Sequence, residues 1–129
     1  MGTYSKILLS ASTDGQAIPI TGTAVTIHTK IHTSITDTGD GFDEIYVYAH
    51  NLATTKSIVQ FLIAVTGGAS SVTQGIIGYE LTAGGDIIHT AGLILVVPGL
   101  MARNAKSLLM WATANARVVA QGYVHRYAS

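Results

Sequence analysis

Between Thr23 and Ile35, apolar and polar positions alternate one for one. Val25, Ile27, Ile31 and Ile35, with Thr29 and Thr33, fall on one face; Thr26, His28, Lys30, His32 and Ser34 fall on the other. Period two is the spacing of a strand with one buried face. The same alternation recurs from Glu44 to Leu52, where Ile45, Val47 and Ala49 oppose Tyr46, Tyr48 and His50. The segment Ser57 to Thr66, SIVQFLIAVT, is apolar on both faces apart from Gln60. That pattern predicts a central strand covered on both sides, by a second sheet and by a loop or neighbouring subunit.

Further strands are predicted over Ser5–Ser12, closed by the turn Thr13-Asp14-Gly15, and over Ala17–Thr21. Pro19 removes a ladder donor and so suits an edge. Gly75–Thr82 is another strand, Ala83–Asp86 a tight turn, and Ile87–Val97 one long strand or two, bent at Gly92. Pro98–Ala105 reads as an irregular crossing. Lys106–Ala114 and Arg117–Tyr127 read as a closing hairpin around Asn115-Ala116. Met101–Asn115 is rich in good helix formers, but no residue caps a helix start and its neighbours are strands. Eight or nine strands joined mostly by short turns predict an all-β fold, an antiparallel, jelly-roll-like β-sandwich.

The 129 residues carry no linker or repeat and read as one domain, residues 1–129, long enough to bury a core. Charged residues are 11% of the chain and the formal net charge is zero, where an ordinary soluble domain has about 25% charged residues. Gly, Thr, Ser and Ala take their place. Net charge keeps molecules apart in solution, so a neutral surface of this kind is expected to be covered by partners. The absence of cysteine excludes disulfides and thiolate metal sites. The opening MGTYSKILLSAS lacks the basic start and long apolar core of a signal peptide. No apolar run approaches the ~20 residues of a membrane-spanning helix.

Little of the chain suggests catalysis. His28 and His32 lie four apart on one strand, about 13 Å at strand rise, too far to share a metal ion, and His50, His89 and His125 are scattered. No nucleophile elbow or phosphate loop occurs. Four of the seven acids fall in Asp37–Glu44. Asp37, Asp40, Asp43 and Glu44 are thus a weak calcium candidate, though their order is not that of an EF-hand; an exposed turn explains them as well. No cofactor is expected. The basic residues are dispersed and matched by acids, which argues against nucleic acid, and no membrane contact is expected. Tyr46, Tyr48 and Tyr123 combine apolar area with a polar tip, as interface residues do, and a sugar-binding groove would use the same residues. Arg103, Arg117 and Arg126 lie in a stretch without acids after Asp86, suited to an acidic partner surface. These six are the candidate contact residues. Trp111 is expected in the core.

The motifs Val97-Pro98-Gly99-Leu100, Trp111-Ala112-Thr113-Ala114-Asn115 and Gly122-Tyr123-Val124-His125-Arg126 resemble the C-terminal third of small β-rich virion proteins of tailed bacteriophages. The resemblance implies a non-enzymatic capsid decoration (cement) protein, made in the host cytoplasm and resident in the virion. It would be a homo-oligomer, a trimer favoured, bound to the major capsid protein or other virion proteins. The resemblance equally implies neck, tail or fibre-attachment roles, and a carbohydrate-binding β-sandwich is the reading outside that group.

Overall fold

The computed structural model describes residues 2–20, 29–36, 39–52, 57–64, 77–81, 94–112 and 118–129. Among them every regular element is a strand: β1 (Thr3–Leu8), β2 (Ile18–Ile20), β3 (Thr29–Thr33), β4 (Phe42–Asn51), β5 (Ser57–Ala64), β6 (Ile77–Leu81), β7 (Ile94–Ala102), β8 (Ser107–Ala112) and β9 (Val118–Ala128). They form two antiparallel sheets. One runs β1-β9-β4-β7, with β2 also on β9; the other runs β3-β8-β5-β6.

The sheets face each other across one apolar core. β4 supplies Ile45, Val47 and Ala49, and β9 supplies Val118, Ala120 and Val124. From the facing sheet come Ile31, Val59, Phe61, Leu108, Met110 and Ala112. Alternation along β4 is complete, each odd position buried and each even one part-exposed, as its sequence requires. β5 lies between β8 and β6, and β8 is buried along its whole length. Leu108 and Met110 enter the main core, while Leu109 and Trp111 join Leu62 in a second cluster on the opposite side of the sheet. Trp111 Nε1 donates to Gln60 Oε1 at 2.8 Å. Helix-forming residues thus make a central strand, because pairing on both edges and cover on both faces outweigh local propensity.

Three expectations are corrected. Pro98 is not in a crossing but inside β7, an edge strand, where a missing donor is tolerated. Leu100 pairs with Ile45 and Pro98 with Tyr46, leaving Gly99 as the extra residue of a bulge, at φ +88°, a conformation glycine adopts without strain. β8 and β9 do not form a hairpin. They belong to different sheets, since β8 needs a neighbour on each side and the long β9 spans β1, β2 and β4. Finally, His32 does not share the polar face of Lys30. A register shift between Lys30 and His32 turns both Ile31 and His32 inward, to 0% and 1% exposure. The segments 82–93 and 113–117, with Arg117 and the proposed turns there, lie outside the described residues, as do His28, Asp37 and His89.

Candidate functional site

Two arrangements stand out, one buried and one exposed, and both are set by β4. Its inward residue Asp43 is fully buried. Its carboxylate accepts Arg126 Nε on Oδ1 and Arg126 Nη2 on Oδ2, each at 2.8 Å. Oδ2 also accepts the Ile35 amide at 3.1 Å and meets His32 Nε2 at 2.7 Å. On the far side of the imidazole, Nδ1 accepts the Ser10 backbone N–H at 3.0 Å. That bond fixes the tautomer: the proton is on Nε2 and is donated to Asp43.

The titration behaviour follows. Burial would raise Asp43, but the Arg126 and His32 hydrogen bonds and charges outweigh it and hold the carboxyl below its ordinary range. For His32, burial outweighs the pull of Asp43 and lowers the pKa below 6.5. Ser10 Oγ lies 2.8 Å from Nδ1, so Ser10, His32 and Asp43 follow one another in the manner of a hydrolase triad. A nucleophilic serine needs the imidazole lone pair for its own proton. Here Nδ1 takes the Ser10 amide, and Oγ accepts the Thr33 N–H at 3.1 Å. Both contacts hold the loop after β1 onto β3. The network ties β3, in one sheet, to β4 and β9, in the other.

The outer face of the β1-β9-β4-β7 sheet is different in kind. Register sets Tyr4 beside Tyr127 and Phe42, Lys6 beside His125 and Glu44, and Leu8 beside Tyr123 and Tyr46. Tyr48 follows on β4, opposite Gln121. Five of the six tyrosines of the chain, Tyr4, Tyr46, Tyr48, Tyr123 and Tyr127, are thereby placed on one side of one sheet. Tyr46 stacks on Tyr123, centroids 5.0 Å apart and planes 20° apart, and Phe42 on Tyr127 at 5.7 Å and 24°. His125 stands among Tyr4, Tyr46 and Tyr123, at 5.5, 5.3 and 5.2 Å. Lys6 Nζ lies 4.3 Å from the Tyr123 ring centre. The Tyr46 hydroxyl donates to Glu44 Oε1 at 2.5 Å, a bond that, with burial and the Glu44 charge, pushes Tyr46 up to about 12. Tyr4 is 63% exposed, Leu8 50% and Met101 57%.

The structure brings Tyr46, Tyr48 and Tyr123 together on this face. It does not bring Arg126 there: the guanidinium is turned inward to Asp43. Arg103 is exposed and donates to the Gly39 carbonyl. The calcium candidates part company, because Asp43 is sealed beneath Arg126, Glu44 projects from the opposite face and Asp40 is exposed. Among the described residues no three His, Asp or Glu side chains gather as a metal site. Sequence reading missed Tyr4, Lys6, Phe42, His125 and Tyr127 as members of the aromatic face. Counting by twos from Tyr46 and Tyr123 reaches Phe42, His125 and Tyr127; only the pairing of β1 with β9 adds the other two. Comparison with protein-family models, with curated proteins and with solved structures found no match.

Proposed function

We propose that this protein is a non-enzymatic structural component of a virion, a capsid decoration protein that binds the head of a tailed bacteriophage as a homo-oligomer. The observation that carries this reading is the aromatic face: a small, neutral domain commits most of its tyrosine to one exposed side of one sheet. Part-exposed tyrosines gathered on one face, with Tyr4, Leu8 and Met101 open beside them, combine apolar area with polar tips as contact surfaces do.

The ring geometry favours a protein surface over a sugar. Stacked tyrosines on neighbouring strands cover one another's faces, and Lys6 covers the Tyr123 ring as well. A sugar platform needs a ring face free, whereas a protein partner can interdigitate with ring edges and hydroxyls.

With β2 set aside, the pairs β1–β9, β3–β8, β4–β7 and β5–β6 are nested, first strand with last. Such nesting, with successive rungs alternating between two sheets, supports a jelly-roll reading, an architecture used by viral capsid domains and by lectins alike. The architecture is therefore consistent with the virion reading, while the face carries the function.

Mass spectrometry of purified particles tests the proposal. Decoration predicts on the order of hundreds of copies per particle, and a neck, tail or fibre-attachment role about three to twelve, as closed rings and shells allow. Absence from particles overturns the virion reading altogether.

A further inference from the structure

We infer that the open edge of β1 pairs antiparallel with β1 of a second copy of this chain, across a two-fold axis, joining two five-stranded sheets into one. The inference deepens the proposed oligomer by naming its contact, and it stands on the edge itself.

Among the described residues β1 is hydrogen-bonded on one side only, to β9. Its residues are exposed on both faces, Ile7 alone being half-buried. It carries two of the exposed large apolar side chains, Tyr4 and Leu8. Edges of this kind invite a further strand, and proteins ordinarily blunt them with proline, bulges or an outward lysine. Three of the four other edges among the described residues are blunted, and the fourth, β6, is a five-residue strand that holds Gly78 and Glu80. β7 has Pro98 and the Gly99 bulge, β2 has Pro19, and β3 has its register shift and the Ser10–Thr33 bonds. β1 has no proline and no bulge, and its one lysine is drawn back over the Tyr123 ring of β9.

Charge and register select a second copy as the occupant. The chain has no net charge, so like molecules approach without repulsion. About a two-fold axis, opposed residues must share a face. Setting Lys6 opposite Lys6 would oppose like charges. Setting Ser5 opposite Ser5 places Tyr4 against Lys6 of the second copy and Thr3 against its Ile7, and pairs Thr3–Ile7 along its full length. The two aromatic faces then form one continuous surface.

The chain contains no cysteine, so a single Ser5→Cys substitution reads the contact directly. Residues opposed across an antiparallel pair fall within disulfide reach, about 4.5–5.5 Å between Cα atoms. Wild-type protein is expected to sediment as two chains. Ser5→Cys is expected to give a covalent dimer on mild oxidation, with Gln16→Cys, on an exposed turn, remaining uncross-linked. Ser5→Lys, opposing two charges at the axis, is expected to weaken the dimer roughly tenfold with the circular dichroism of the fold unchanged. A wild-type monomer or trimer, or a Gln16→Cys variant that cross-links as readily as Ser5→Cys, overturns the inference. Those outcomes leave the particle copy number to judge the virion reading, and absence from particles leaves the edge pairing standing.

Discussion

Arg126 closes on Asp43 from directly across the β4–β9 ladder with two hydrogen bonds of 2.8 Å, the carboxylate fully buried and the guanidinium side chain 30% exposed. The asymmetry explains how an ion pair survives inside so small a core. Asp43 gives up water completely but receives donors from Arg126, His32 and Ile35. Arg126 keeps contact with solvent, which reduces the cost of bringing its charge inward.

Removing the acid should therefore be far more damaging than its position near a loop suggests. Asp43→Ala leaves Arg126 and His32 without their shared acceptor and opens a small void, and is expected to cost about 3–5 kcal/mol. Urea unfolding of the purified variant checks this. A loss below about 1 kcal/mol, the range of exposed pairs, would mean that water already screens the contact.

The same network sets a pH dependence. His32 is neutral in the folded protein at pH values where the unfolded chain, near its ordinary 6.5, takes up a proton. Protonation favours the unfolded state, so this contribution to stability is complete above about pH 6.5 and is lost as the pH falls below it. The loss approaches at most about 1.4 kcal/mol per pH unit for one proton. Asp43, held below 3.8, adds a second loss at still lower pH, where the unfolded carboxylate protonates first. Unfolding midpoints measured from pH 8 to 4 should fall on acidification, and His32→Gln should flatten the first part of the curve. A midpoint that rises on acidification, or a His32→Gln curve as steep as wild type, contradicts the assignment.

How far the sequence could reach is visible in β4 and β8. β4 was legible residue by residue, because one buried face and one solvated face impose strict alternation. β8 was legible as apolar but not as to its partners: a strand covered on both faces carries no period, so its place between β3 and β5 was hidden, and a false hairpin with β9 followed. His32 was misplaced by a single bulge, which reverses the facing of everything after it. The Asp43–Arg126 pair joins residues 83 positions apart, and nothing local in either neighbourhood announces it. The aromatic face was half legible, since Tyr46 and Tyr48 declare it on β4 while the contribution of Tyr4 depends on which strand lies next to β9.

At Gly122 the backbone of β4 leaves no room for a side chain on β9. A Cβ built there would lie 2.0 Å from the Tyr46 carbonyl oxygen and 3.0 Å from the Val47 Cα. Backbone cannot swing aside as a side chain can, so Gly122→Ala must push the two strands apart at the centre of their ladder. The expected cost is at least about 3 kcal/mol, at the upper end of overpacking, read as a lower urea midpoint or as insoluble protein on expression. Gly78→Ala is the control: its added Cβ meets only side-chain atoms at 3.7 and 3.9 Å, and a small change is expected. Equal losses in the two variants would show that the β4–β9 approach is not the tight point of the sheet.

Tyr46 offers a probe of the outer face that does not depend on unfolding. Its hydroxyl donates to Glu44 Oε1, and ionising it would lose that hydrogen bond; burial and then the Glu44 charge add to the effect, and together they raise Tyr46 to about 12. Glu44→Gln removes the charge but keeps an acceptor oxygen in place. The Tyr46 titration, followed by ultraviolet absorbance against a Tyr46→Phe baseline, is then expected to move down toward the ordinary 10. The ring packing that positions Tyr46 against Tyr123 and Gly99 stays intact in that variant, so a shift can be assigned to the lost charge. A titration unchanged by Glu44→Gln would leave the retained hydrogen bond and burial as the cause, with no part for the Glu44 charge.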